Sequence, residues 1–126
     1  MQKFIIVDTS SIIYSFTLKR DIFSNLEELG FFPIITSSVI EELKKISKKG
    51  SRFGVAAKYA LWVIKKKKKE KKIKIIRTKR NTDLAIEEIA KKKKIRVCTN
   101  DKEMKKRIKK LGLEILTVKS NGFIGE

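Results

Sequence analysis

Short apolar runs alternate with amphipathic stretches along the whole chain. Residues 3–7 form a continuous apolar run that ends abruptly at Asp8. This pattern is typical of a strand buried on both faces and followed by a turn into a helix. Further strands are predicted at 33–36, 95–98 and 114–118, and 73–76 is either a short edge strand or a connection.

Apolar residues recur at helical spacing between these runs. Ser37 or Ser38 is expected to cap the helix after the second strand, and Asn81 with Thr82 to cap a later one. The residues predicted to point inward are Ile12, Ile13, Phe16, Ile22, Leu26, Leu29, Val39, Leu43, Ile46, Phe53, Ala56, Ala57, Ala60, Leu61, Ile64, Ala85, Ile86, Ile89, Ala90, Met104, Ile108 and Leu111.

Strands that alternate with helices imply right-handed crossovers and a parallel sheet covered on both faces. The predicted fold class is therefore α/β, a three-layer α/β/α sandwich with a central, mainly parallel sheet. We expect a single domain over residues 1–126. Residues 119–126 form either a turn with a docked end or a frayed tail.

The composition removes several functional classes. The chain has 126 residues, one cysteine and no histidine. Disulfide scaffolds, zinc fingers, Ser-His-Asp triads and histidine acid/base pairs are thereby excluded. No run of 18 apolar residues occurs, so we expect neither a signal peptide nor a membrane span. Cys98 lies in an apolar run and suits a reducing cytoplasmic compartment.

Charge is high and unevenly distributed. The 32 basic and 14 acidic residues give a net charge of +18. Residues 1–43 carry three basic and six acidic side chains, whereas residues 44–126 carry 29 basic and eight acidic ones. Such a field attracts polyanions and favours nucleic acid as the partner. Lysine enrichment also occurs in thermally adapted proteins without any partner, and a membrane surface is disfavoured because no aromatic-faced amphipathic helix is present.

Acidic residues follow the predicted strands. Asp8 and Asp101 each come directly after an apolar run, where helix capping alone explains a single acid. Asp83 lies in the first turn of a predicted helix, where the helix dipole explains it equally well. Strand carboxyl ends and helix amino ends meet at one edge of a doubly wound sheet. We therefore expect these three residues and Glu42 together at that edge.

Helix phase separates two adjacent glutamates. Glu42 falls between Val39 and Ile46 on the stripe predicted to face the core, whereas Glu41 falls on the solvated face. A carboxylate among apolar residues needs a cation or a function to offset its burial. Clustered carboxylates repel, so they take up protons or bind a cation, and all-oxygen ligands favour Mg²⁺ or Mn²⁺.

Four acidic motifs carry a family resemblance. They are Phe-Ile-Ile-Val-Asp-Thr-Ser-Ser at 4–11, Val-Ile-Glu-Glu-Leu at 39–43, Asn-Thr-Asp-Leu-Ala-Ile at 81–86 and Thr-Asn-Asp-Lys-Glu-Met at 99–104. In this order, and over almost the whole chain, they resemble the acidic motifs of PIN-domain ribonucleases. The last motif most resembles the archaeal and eukaryotic PIN proteins of small-subunit ribosomal RNA processing.

The resemblance implies a divalent-metal-dependent endoribonuclease with Mg²⁺ or Mn²⁺ as cofactor. Ser10 and Thr99 match polar positions that support the site, for example by hydrogen bonding a carboxylate, although turn capping explains them equally well. Glu103 matches a further acid of some relatives or is a solvated charge at a helix start. The catalytic and metal-binding residues that the resemblance implies are Asp8, Glu42, Asp83 and Asp101.

Basic and aromatic residues beyond the third predicted helix are candidate contacts for RNA. Lysines of the basic half are expected to surround the acidic edge. Tyr59 and Trp62 are candidates for stacking on bases, whereas Phe53 is predicted to be core. The candidate phosphate contacts, each equally well explained as a solvated charge, are Lys48, Lys49 and Arg52.

The expected function is hydrolysis of RNA phosphodiesters in ribosomal RNA processing. A VapC-type toxin ribonuclease is one alternative, and its gene should lie beside that of a small antitoxin. A non-catalytic RNA-binding ribosome-assembly factor is another, and it would keep salt-dependent RNA affinity without a metal. The expected partner is RNA, with no membrane, and a homodimer is compatible with the family.

Overall fold

The structure is a computed structural model that describes residues 3–126. Strands and helices alternate over most of this range. The strands are β1 (Lys3–Val7), β2 (Phe31–Thr36), β3 (Lys74–Ile76), β4 (Arg96–Cys98), β5 (Ile115–Val118) and β6 (Ile124–Gly125). The helices are α1 (Thr9–Thr17), α2 (Ile22–Glu28), α3 (Ser37–Ser47), α4 (Arg52–Lys69), α5 (Thr82–Lys93) and α6 (Lys102–Lys110).

The described strands form one sheet in the order β3-β2-β1-β4-β5-β6. Neighbours from β3 to β5 are parallel, and only β6 runs antiparallel, to β5. β1 is central, since Ile6 pairs with Ile34 of β2 on one side and Val97 of β4 on the other. The predicted α/β/α sandwich with a mainly parallel sheet is confirmed, and residues 73–76 contribute the edge strand β3.

The core lies around the central strands. Ile5, Ile6 and Val7 of β1 are fully buried, which explains the continuous apolar run. Cys98 at the end of β4 is a free, buried cysteine, and burial raises the pKa of its thiol to about 12. It is therefore a packing residue and not a nucleophile.

Two local predictions in the first third of the chain are wrong. Leu29 follows the last turn of α2 and is 49% exposed, whereas Phe23 is 1% exposed and packs inward. The cap of α3 is Thr36, whose side chain accepts the Val39 N–H at 3.2 Å. The spacing of residues along a helix shows which side chains share a face. Which faces are buried depends on how the neighbouring elements pack against the helix.

The end of the chain adopts the docked alternative. Val118 of β5 pairs with Ile124 of β6. The turn between these strands uses Gly122 with a φ of 86°, a left-handed conformation that glycine adopts without strain. No helix within residues 3–126 combines the length and apolar character needed to cross a membrane.

The longest lysine runs lie away from the carboxyl ends of the strands. Helices of a parallel α/β fold run back towards the starts of the strands, so α4 and α5 deliver residues 65–69 and 91–94 to that opposite edge. Lys68 lines a surface hollow together with Phe4 and Phe32, at the starts of β1 and β2. Lysines of the basic half that are expected round the acidic edge must therefore come from outside these runs, as Lys49 does.

Candidate active site

Four acidic residues follow four adjacent strands of the sheet. Asp8 comes directly after β1 and Asp101 three residues after β4, while Glu42 lies on α3 after β2 and Asp83 on α5 after β3. The carboxyl ends of these parallel strands share one edge. This edge is where α/β sheets bind ligands.

Asp8 is the most buried of the four acids, with 4% of its surface exposed. It caps α1, and its Oδ1 accepts the Thr9 N–H at 2.8 Å. Its Oδ2 accepts hydrogen bonds from the Ser10 hydroxyl at 2.9 Å and the Thr99 hydroxyl at 2.7 Å. Burial nevertheless raises the pKa of the Asp8 carboxyl above its usual range, and the charge of Asp83 adds to the rise.

Ser10 and Thr99 match polar positions in the family resemblance, and each makes a further hydrogen bond besides the one to Asp8. Ser10 Oγ accepts the Asn100 N–H at 3.0 Å, and Thr99 Oγ1 accepts the Asp101 N–H at 3.1 Å. Asn100 in turn accepts the Ser11 hydroxyl at 2.6 Å. The start of α1 is thereby tied to the loop between β4 and α6, and Asp8 is held in one orientation.

Asp101 caps α6. Its Oδ1 accepts the N–H groups of Glu103 at 2.8 Å and Met104 at 3.1 Å, and the side chain is half-buried. Glu103 points into solvent and pairs with Lys106 at 3.8 Å. Glu103 is therefore a surface charge at the start of α6, one of the two roles expected for it.

Glu42 reaches the first turn of α1 from α3. Its Oε1 accepts the Thr9 hydroxyl at 2.5 Å. The residue is exposed, however, whereas Val39 and Leu43 are fully buried. The prediction that Glu42 faces the core is wrong, because it lies on the flank of the apolar stripe and faces the carboxyl edge of the sheet.

Asp83 is coupled by charge to the other three acids. Partial burial of the Asp83 carboxyl is the largest cause of its raised pKa. Repulsion from Asp101 and Glu42 raises this pKa further. The charge of Asp83 in turn raises the pKa of Asp8. The four acids therefore lie near enough to one another for the charges of Asp101 and Glu42 to act on Asp83, and for the charge of Asp83 to act on Asp8.

A hollow of about 350 Å³ opens between Glu42 and Asp83, with Arg107 on its wall. Arg107 lies 3.8 Å from Glu87 and lowers the pKa of Asp83 against the stronger influences that raise it. Arg107 was not predicted, because α6 is rich in basic residues and only the packing of α5 on α6 distinguishes this one. Thr9 was not predicted either, because its bond to Glu42 joins two elements that are distant in the sequence.

The carboxylate oxygens suit a hard divalent cation, although they do not surround one on all sides. Within residues 3–126 no three acidic or thiol side chains lie close enough together to ligate one ion as they stand. Mg²⁺ commonly keeps several waters and takes only one or two carboxylates directly. Carboxylates at this edge fit such a hydrated ion, and the sequence has no histidine to offer a nitrogen ligand instead.

The predicted RNA contacts do not all lie together. Lys49 lines a second hollow beside Ser10, on the Asp8 side of the centre. Arg52 lies over the ring of Phe53 at 5.1 Å and lines a different hollow, and Lys48 is exposed at the end of α3. Phe53 is 45% exposed, so its assignment to the core is wrong. It lies in the first turn of α4, before the buried stretch of that helix begins.

Sequence and fold identify the family. The PIN-like domain family matches residues 5–121, almost the whole chain. The matched region contains β2, β3 and β4, the last three residues of β1, and all four acidic residues described above. The chain belongs to the PIN-domain family, the family of PIN-domain ribonucleases that its motifs indicated.

Individual relatives agree with this assignment. The chain is 33% identical over 113 residues to Ribonuclease VapC9 of Archaeoglobus fulgidus, covering 87% of this chain and 78% of that protein. The PIN domain endonuclease Utp24 superposes with a TM-score of 0.72 and 29% identity, over 96% of this chain and 88% of that one. A domain of a functionally unknown Methanocaldococcus jannaschii protein has the same fold, with a TM-score of 0.67, 21% identity and coverage of 94% and 92%.

Proposed function

We propose that this chain is a divalent-metal-dependent endoribonuclease whose catalytic residues are Asp8, Glu42, Asp83 and Asp101. The observation that carries the proposal is the position of these acids, which follow four adjacent parallel strands and lie at one edge of the sheet. Burial raises the pKa of Asp8 and Asp83 there, and the charges of neighbouring acids add to the rise. Helix capping accounts for Asp8 and Asp101 singly, but the gathering of four acids at one edge is typical of a functional site and is best explained by a cation and a reaction. Relatives named as a ribonuclease and an endonuclease support the same activity.

The four carboxylates would hold one or two Mg²⁺ or Mn²⁺ ions. When bound, such an ion polarises a phosphodiester and lowers the pKa of a coordinated water. The chain itself fixes the position of Asp8 through Ser10 and Thr99 and supplies charge from the other three acids. Products with 5′-phosphate and 3′-hydroxyl ends are expected.

Phosphate binding falls to cations beside the carboxylates. Lys49 lies on the Asp8 side and Arg107 on the Asp83 side. A basic group on each side of an acidic centre holds the backbone of a strand while the reacting phosphate lies between them. Arg107 is suited to this task because its guanidinium can bind two phosphate oxygens at once.

Cleavage of a single-stranded RNA of defined sequence tests the proposal. The wild-type protein should cleave it with Mn²⁺ or Mg²⁺ and lose this activity when EDTA is added. Asp101→Asn should lower the cleavage rate by at least about 100-fold, since even outer-shell changes at metal sites cost 10-fold to 100-fold. RNA binding, followed by fluorescence anisotropy, should remain.

Glu103→Gln is the matched control, because Glu103 is an exposed acid two residues from Asp101 and has a surface partner. It should cleave at the wild-type rate. Equal cleavage by Asp101→Asn and wild type, or activity that survives complete removal of metal, would contradict the proposal.

The resemblance of the motifs favours ribosomal RNA processing as the role of this activity. The 33% identity to Ribonuclease VapC9 favours a second candidate, a toxin ribonuclease. The two roles differ in genetic context, since a toxin is expected beside a reading frame for a small antitoxin. They also differ in effect, because a toxin arrests growth when expressed alone, and co-expression of the adjacent protein relieves the arrest.

A further inference from the structure

The hollow beside Ser10 has a volume of about 570 Å³ and lies between α1, α3 and α4. Its apolar walls come from Ile13 and Tyr14 of α1, Ile46 of α3 and Phe53 of α4. Phe53 is 45% exposed, although a core position would remove its ring from water. A single exposed ring needs no explanation, but here the ring joins three other apolar side chains in one cavity beside a polar site, as is typical of a ligand pocket.

The hollow beside Ser10 adjoins the candidate active site. Thr9 and Ser10 line the hollow, and the same two residues hydrogen bond Glu42 and Asp8 respectively. Whatever occupies the hollow therefore contacts residues that hold the carboxylates. An occupant must also be compatible with Lys49 on the wall.

We propose that the hollow binds one unstacked nucleobase of the RNA, next to the phosphate held at the carboxylates. This inference rests on the proposed ribonuclease function and deepens it by assigning a base subsite between α1, α3 and α4. Aromatic rings stack on any base, and a cation beside them binds the adjoining phosphate. Tyr14, Phe53 and Lys49 supply these groups within one cavity. A base in a duplex is paired and stacked, so it cannot enter without the strand opening.

Phe53→Ala tests the proposal, with Phe123→Ala as the matched control. Phe123 is 50% exposed and lies under Arg20 at 4.4 Å, much as Phe53 lies under Arg52 at 5.1 Å. Only Phe53 lines the hollow. Phe53→Ala should raise KM for a single-stranded RNA by about tenfold with a smaller change in kcat. Phe53→Trp should restore KM, and Phe123→Ala should match the wild type.

An abasic scan gives an independent measurement on the wild-type protein. The substrate is one RNA with a single cleavage site, prepared with an abasic nucleotide at each flanking position in turn. The wild type should lose about tenfold in kcat/KM at one adjacent position. Phe53→Ala should show no further loss at that position, because the base and the ring act together.

The outcomes separate the two proposals. If the wild type cleaves RNA but the scan is flat, or if Phe53→Ala matches Phe123→Ala, the base-binding hollow is overturned while the nuclease stands. Equal cleavage of duplex and single-stranded RNA overturns it as well. If the wild type neither binds nor cleaves RNA with either metal, both proposals fail, and the hollow is left to a protein partner or a second copy of this chain.

Discussion

Both carboxylate oxygens of Asp8 accept hydrogen bonds, and yet the charged form of this residue is disfavoured. Three donors meet its two carboxylate oxygens, and yet burial raises the pKa of the group. Hydrogen bonds to a carboxylate usually lower its pKa. The balance therefore indicates that the site withholds water from Asp8 more effectively than the hydroxyls of Ser10 and Thr99 replace it.

Asp83 tests burial and repulsion of a carboxylate together, because no hydrogen bond is among the causes of its raised pKa. Its raised pKa means that the folded protein holds this proton more tightly than the unfolded chain. The contribution of Asp83 to stability therefore falls as pH rises from its unfolded pKa through its raised folded pKa. At pH 7 the ionised Asp83 destabilises the folded protein. Without metal, Asp83→Asn should raise Tm at pH 7 by about 1–3 °C, and the difference should vanish near pH 3.

Thermal unfolding in EDTA and in Mg²⁺ measures this effect. Mg²⁺ should stabilise the wild type more than Asp83→Asn, because the variant has lost part of the negative charge. Glu88→Gln is the control, since Glu88 is an exposed acid on the same helix and pairs with Arg80 at 2.8 Å. A lower Tm for Asp83→Asn than for wild type in EDTA would show that the charge of Asp83 is not unfavourable in the folded protein.

At the scale of elements, the junction of α3 and α4 positions the predicted RNA contacts Lys49 and Phe53. Gly54 lies in the first turn of α4, and a Cβ there would stand 1.9 Å from the Lys49 carbonyl oxygen. Only glycine allows the helix to approach the preceding loop so closely. The position of Phe53 beside the hollow depends on this contact.

Gly54→Ala should therefore lower the free energy of unfolding by about 1–3 kcal/mol, as overpacking does, despite the higher helix propensity of alanine. Urea denaturation measures the change. Gly50→Ala is the matched control, because nothing lies within 4 Å of a Cβ at Gly50, and it should stay within about 0.5 kcal/mol of wild type. Equal stability of the two variants would show that the close approach is not required.

The sequence predicts elements better than it predicts which side chains they expose. All predicted strands exist, because continuous apolar runs have few other solutions in a chain of alternating elements. Glu42 and Phe53 were assigned to buried stripes, and both are exposed. Phase on a helical wheel separates faces by angle, but it does not show where the neighbouring layer ends.

The site was foreseen only as far as strand order allows. Acids after adjacent parallel strands must share an edge, so the grouping of Asp8 and Asp101 follows from the fold class. The bond from Thr9 to Glu42 and the place of Arg107 depend on how helices pack on each other. No local pattern in the sequence records such contacts.

At the scale of the whole molecule, positive charge is spread over more than one surface. The net charge is +18, while the runs at 65–69 and 91–94 lie at the edge opposite the acids. Part of this charge is already paired, since Glu27 accepts both Lys67 at 3.3 Å and Lys72 at 3.5 Å. The remote charge should attract RNA at long range, whereas the residues beside the acids decide which bond is cleaved.

RNA binding should therefore be strongly salt-dependent. The dissociation constant for a single-stranded RNA should rise by about 100-fold or more between 50 and 200 mM salt, as expected when several phosphate contacts release counterions. Phe53→Ala should shift the curve to weaker binding without changing its slope, because stacking releases no ions. Fluorescence anisotropy in EDTA provides the measurement, and a dissociation constant that does not vary with salt would contradict the electrostatic account.

The four acids are proposed to share a divalent ion, and the catalytic function depends on it. Crystals soaked in Mn²⁺ test this directly through the anomalous scattering of manganese. The expected result is an anomalous peak between the carboxylates of Asp8 and Asp101, which disappears in Asp8→Asn crystals prepared in the same way. A well-ordered wild-type site without manganese, or a peak only at acids on other surfaces, would contradict the claim.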